Sequence, residues 1–194
     1  MTPRRILIIN GHPDARPERL CAALAGAYAA GARAAGHEVQ GLSVGDIPVA
    51  MLQDAADFAT PPTEPAILEA REAIAWADHL MLVFPLWLGA TPAKLKAFLE
   101  QVFRAGFGFS LAGGQLSHGL KGKSLRVVVT MGMPGALFRL VFGAHGLLSL
   151  EQGVFGLTGV SPVRHTILGG VEAVGADRRR RWLALMQRYG REAR

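Results

Sequence analysis

The chain has 194 residues, half of them apolar, which suits one domain with a real core and excludes a disordered polypeptide. Its only cysteine, Cys21, excludes an intrachain disulfide and fits a reducing compartment. The net charge of +6 suits anionic partners, but there is no zinc-finger spacing and no aromatic–basic pattern, which argues against nucleic acid.

Thr2-Pro3-Arg4-Arg5 leads into only four apolar residues, Ile6 to Ile9. That is too few for a signal segment, and no stretch reaches the roughly 18 uncharged apolar residues that span a bilayer. The cytoplasm is the expected location. Ile6–Ile9, ending at Asn10-Gly11, reads as a buried strand. A helix is expected from Pro17, with Leu20, Leu24, Tyr28 and Ala32 on one stripe and Gly36 as its stop. Glu38–Leu42 reads as a second strand, and residues 45–64 as a proline-rich loop. Pro65–Asp78 follows as a helix with Ile67, Ala70, Ile74 and Ala77 on its apolar stripe.

His79–Leu86 is apolar on both faces, as a central parallel strand requires. Pro92 opens a helix whose Leu95, Phe98, Leu99, Val102 and Phe103 repeat at helical period. Residues 105–123 hold six glycines and read as a long loop. Ser124–Met131 reads as a strand, 136–142 and 147–154 as helices, and Val163–Leu168 as a fifth strand. Asp177 is placed to cap a last helix bearing Trp182, Leu185, Met186 and Tyr189, its Arg178–Arg181 run a solvated face. Strand and helix alternate about five times, so a parallel sheet covered on both faces is expected, in one domain over residues 1–194.

Ligands of such sheets bind beyond the carboxyl ends of the strands. Three segments there are informative. Asn10–Cys21 leaves the first strand and opens a helix, so backbone N–H groups can receive an anion, with Arg16 and Arg19 adding charge. No G-x-G-x-x-G or Walker pattern occurs. Phe84–Ala93 sets Trp87 beside Gly89, suited either to a stacked flat ring or to a core tryptophan at a glycine turn. Thr130–Gly135 is flexible and apolar, with His145 following in a glycine-bounded stretch, either packed or able to offset developing charge. His37, His79, His118 and His165 have no partner at ligand spacing, so no metal is expected. The absence of G-x-S-x-G argues against an α/β-hydrolase nucleophile.

Several blocks together resemble the flavodoxin-like NAD(P)H:quinone oxidoreductases. They are I-L-I-I-N-G-H-P at 6–13, the run from Ala77 to Phe103 containing F-P-L-W-L-G-A-T-P-A-K-L-K, G-F-G-F at 106–109, L-K-G-K-S-L-R-V-V-V-T-M-G at 120–132 and G-A-H-G at 143–146. The resemblance implies a flavodoxin-like three-layer α/β sandwich, a five-stranded parallel sheet of order 2-1-3-4-5 with helices on both faces. It implies a non-covalent flavin, FMN or FAD, NAD(P)H as co-substrate, ping-pong transfer to a quinone-like acceptor, and a homodimer with its active sites at the interface. His12, Arg19, Leu20 and Cys21 would hold the flavin phosphate. Pro85, Leu86, Trp87, Leu88 and Gly89 would lie along the ring, with Thr130, Met131, Gly132 and Met133 on its other edge. His145 would offset charge on the reduced ring, Phe109 would close the acceptor pocket from the partner subunit, and Phe138 would shape it. Arg19 and Cys21 stand where members carry serine and asparagine, and Phe138 where a mammalian member carries a tyrosine. A second reading is an ancillary flavoprotein docking on a potassium-efflux system. A plain flavodoxin carrier fits less well, since those are acidic.

Overall fold

The computed structural model describes residues 2–112 and 114–194. Among the described residues seven strands form: β1 (Arg5–Asn10), β2 (Glu38–Ser43), β3 (His79–Pro85), β4 (Phe109–Ala112), β5 (Gln115–His118), β6 (Ser124–Met131) and β7 (Val163–Gly169). The helices are α1 (Leu20–Ala34), α2 (Ala55–Ala59), α3 (Pro65–Trp76), α4 (Ala93–Phe103), α5 (Gly135–Leu140), α6 (His145–Leu148) and α7 (Ala176–Glu192). Five strands pair in parallel in the order β2-β1-β3-β6-β7, the expected arrangement once the β4–β5 hairpin is set aside.

Alternation along the strands assigns the two faces. Ile6, Ile8, Met81, Val83 and Val128 pack under α1 and α7. Leu7, Ile9, Leu80, Leu82, Phe84, Val127 and Val129 pack against α3, α4 and the helical segment after β6. The central strands β3 and β6 are therefore buried on both sides, which is why their sequences are continuously apolar.

Four local expectations are corrected. Residues 105–123 are not simply a loop: Phe109–Ala112 and Gln115–His118 pair antiparallel, and Gly113 lies outside the described residues. The 45–64 segment contains α2 and begins inside a single 3₁₀ turn, Val44–Asp46, whose Val44 is buried. α1 starts at Leu20, not Pro17, with Arg19 at its N-cap. Asp177 lies inside the first turn of α7, where it pairs with Arg180, and Gly175 holds the cap position.

The amino edge of the sheet carries a buried polar chain. His79 Nδ1 lies 2.7 Å from Ser124 Oγ, and its Nε2 lies 2.9 Å from the Tyr28 hydroxyl. Burial, reinforced by Arg4, Arg126 and Arg164, pushes His79 down to about 3. The ring is therefore neutral and structural, and it sits at the end of the sheet opposite the ligand edge.

Candidate functional site

At the carboxyl edge, β1, β3 and β6 end side by side: Asn10 pairs in register with Val83, and Pro85 with Thr130. The loop after β1 is tightly organised. The His12 N–H donates to Asn10 Oδ1 at 3.2 Å, and the Asp14 N–H donates to His12 Nδ1 at 2.9 Å. Burial and Arg19 lower the His12 pKa, so the ring is neutral and, with Nδ1 accepting, carries its proton on Nε2.

Arg16 and Arg19 both close on Asp14, at 2.7 and 2.5 Å. The two guanidinium groups hold the Asp14 carboxyl far below the usual carboxylate range. Asp14 was not singled out in the sequence, although a carboxylate two and five residues before two arginines is a readable clamp. Arg19 takes the N-cap of α1 without a side-chain cap, and the first turn holds no acid. The N–H groups of that turn thus open towards the loop with the dipole's positive end. Gly11 lets this loop sit low: a Cβ there would stand 2.8 Å from Leu95 Cδ2.

Cys21 contributes only backbone to that surface. Its side chain is buried, 3.6 Å from Thr130 Oγ1, and burial raises the thiol to about 11. Thr130 is likewise turned inward, and its carbonyl receives the Leu86 N–H at 2.7 Å. The Met131 side chain lies in the core, whereas Gly132 is exposed and Met133 half-buried. Leu20 is half-buried at the head of α1.

Beyond β3, Trp87 and Ala90 exchange two backbone hydrogen bonds of 3.0 Å, closing a two-residue turn over Leu88 and Gly89. Both turn residues have positive φ, 48° and 78°. Leu88 is fully exposed in this strained conformation, and Trp87 is half exposed with its ring 6.1 Å edge-on from His12. The first and second strand-end loops are thereby in contact through aromatic side chains.

His145 is exposed at the start of α6, after Gly143 and Ala144 at φ 59° and 50°. Its turn abuts the Trp87 turn through Gly146. One expected residue stands elsewhere. Phe138 is buried among core residues on the α3/α4 face and does not line an open pocket. Phe109 lines a cavity of about 200 Å³ with Phe58, Phe103 and Leu157, along α4 and away from the strand ends of its own chain. A larger recess of about 730 Å³ by Gly135 and the start of α7 is lined by Asp177, Arg178 and Arg181 and by none of the residues expected to hold the flavin. Among the described residues, no three His, Cys, Asp or Glu side chains gather as for a metal, and no helix is long and apolar enough to cross a membrane.

The sequence pattern of Flavodoxin_2, a family of flavodoxin-like fold, matches residues 4–191. The chain belongs to this flavodoxin-like family. An uncharacterized NAD(P)H oxidoreductase of Haemophilus influenzae is 28% identical over 121 residues, 61% of this chain and 59% of its own. The chain thus spans less than two thirds of that curated relative. Among solved structures, Smu.1420 from Streptococcus mutans UA159 is 27% identical with a TM-score of 0.79, covering 97% of this chain and 99% of its own. The NAD(P)H:quinone oxidoreductase of Methanothermobacter marburgensis superposes with a TM-score of 0.80 over 98% of this chain and 97% of its own. At 22% identity that likeness speaks for the flavodoxin-like fold alone.

Proposed function

We propose that the protein is a flavin-dependent NAD(P)H oxidoreductase. The observation that carries this reading is the meeting, at the carboxyl edge, of an uncapped α1 N-terminus flanked by two arginines with a half-exposed Trp87 in contact with His12. That donor set fits a phosphate joined to a flat aromatic ring. When bound, flavin supplies two-electron exchange between NAD(P)H and a quinone-like acceptor.

The chain's own residues would bind and orient. Backbone N–H groups of Leu20 and Cys21, with Arg19, would receive the phosphate, and the His12 Nε2 proton adds a neutral donor. The Pro85–Gly89 turn would flank the ring on one side and Gly132–Met133 its other edge. His145 would offset negative charge that develops on the ring. The Asp14 carboxylate keeps both arginines on the loop but cancels part of their charge, so phosphate affinity should rest chiefly on backbone.

A homodimer completes the reading. An apolar groove of about 490 Å³ runs from Trp87 and Leu88 to Val154, and shares Lys96 and Val154 with the Phe109 cavity. Leu88 in the groove and Leu157 in the cavity stand exposed. A second copy over this face would cover that apolar surface and bring its Phe109 to a site this chain leaves open. The single buried thiol suits work in the cytoplasm. The test is direct: purified protein offered FMN and FAD should retain one of them, identified by mass spectrometry, and should then oxidise NADH or NADPH when given a soluble quinone. Retention of neither sinks the proposal.

A further inference from the structure

Lys94, in the first turn of α4, donates from Nζ to the Gly45 carbonyl at 2.6 Å. Gly45 lies in the 3₁₀ turn after β2 and packs directly on the loop after β1: a Cβ on Gly45 would stand 2.6 Å from the Ala15 nitrogen. The next residue of α4, Leu95, fills the space beside Gly11, where that loop begins. One helical turn therefore supports the loop at its start and at its middle. Ala15 is flanked by Asp14 and Arg16, the clamp that leads into the N-cap at Arg19. The same helical turn follows directly on the Trp87–Ala90 turn.

We infer that Lys94 is a positioning residue for the anion-binding loop: through Gly45 and Ala15 it holds the Asp14–Arg19 backbone in the course that leaves the N–H groups of Leu20 and Cys21 open to a phosphate. The inference rests on the flavin reading only for the identity of the phosphate bearer. Its Nζ is spent on the Gly45 carbonyl, so Lys94 would act through that bond and the Gly45–Ala15 packing, not on the phosphate or the ring. An ammonium bonded to a half-buried carbonyl is a charge-assisted link, so its loss leaves the turn with its own Ile47 N–H to Val44 carbonyl bond and packing.

The test compares wild type, Lys94→Met and Lys94→Arg. Methionine keeps the apolar stem and deletes the donor, and arginine keeps a cationic donor. The probes are FMN and riboflavin, which differ by the phosphate. Amide hydrogen exchange of residues 12–21 is followed in the flavin-free protein. Lys94→Met should accelerate exchange across that loop and weaken FMN by about tenfold, the equivalent of one charge-assisted hydrogen bond, while leaving riboflavin unchanged. Lys94→Arg should restore most of both. Unchanged exchange with unchanged FMN affinity overturns the inference, and so does equal weakening of FMN and riboflavin. If wild type binds neither flavin, the flavin reading fails, and the exchange comparison alone then decides whether Lys94 holds the loop.

Discussion

The Gly89 carbonyl oxygen occupies the space where a side chain on Gly146 would begin, only 2.0 Å from the Cβ position. The turn bearing Trp87 and the turn bearing His145 thus meet backbone to backbone, and each is built from residues in the left-handed region. Gly146→Ala should push them apart, because a carbonyl cannot yield as a side-chain tip can. The expected cost is about 1–3 kcal/mol by denaturant unfolding. In the flavin-loaded protein it should come with slower hydride transfer and near-normal FMN affinity. Wild-type stability would show that the contact relaxes freely.

Leu88 is strained and fully exposed, a combination that a packing role does not explain. Glycine accepts its φ without strain, so Leu88→Gly should be stabilising by about 0.5–1 kcal/mol after its entropy cost. Chemical denaturation checks this. If flavin then binds less well, the exposed leucine serves the ring or the partner copy rather than the fold.

Acid should destabilise the protein through His79. Its folded value, about 3, lies below the unfolded 6.5. The unfolded state therefore takes up the proton first as pH falls, and the stability is fully present above pH 6.5 and lost progressively below it. The slope is about 1 kcal/mol per pH unit for one group. Tm measured from pH 7 to pH 5 should fall for wild type, and fall less for His79→Gln. Equal slopes would show that other groups carry the acid sensitivity.

Phe138 tests a point where sequence resemblance and packing point different ways. Because the ring is buried in the core, Phe138→Ala should destabilise by about 3–5 kcal/mol. Phe138→Leu should leave the KM for a quinone unchanged. A large KM change in Phe138→Leu would mean that the residue reaches the acceptor.

Much of the fold was legible because burial leaves period and composition behind. Leu80–Phe84 is apolar on both faces since helices cover both sides, and Leu95–Phe103 repeats because only one face of α4 meets the core. The hairpin is hard to read in the sequence although Phe109-Ser110-Leu111 and Gln115-Leu116-Ser117-His118 alternate, because the glycine content of the segment outweighs that two-residue period. At the site, loop positions were readable and side-chain directions were not. Cys21 and Thr130 face each other in the interior because each falls on the inward phase of its element, so only backbone remains for a ligand. Lys94 left no signal, since its partner is a main-chain carbonyl 49 residues away.

The arginines offer a charge test. Arg19→Gln removes one guanidinium from the α1 N-cap and should weaken FMN several-fold with little effect on riboflavin. Asp14→Asn releases both arginines and should steepen the salt dependence of FMN binding. Titration by flavin fluorescence at two salt concentrations reads both. Equal effects of Arg19→Gln on the two flavins would move the phosphate away from α1.

The most direct test of the central claim is anaerobic titration of the flavin-reconstituted protein. A visible flavin absorbance should be bleached by NADH or NADPH and restored by a soluble quinone, one equivalent for one. A protein that stays colourless with both FMN and FAD, or whose bound flavin neither nicotinamide reduces, would contradict it.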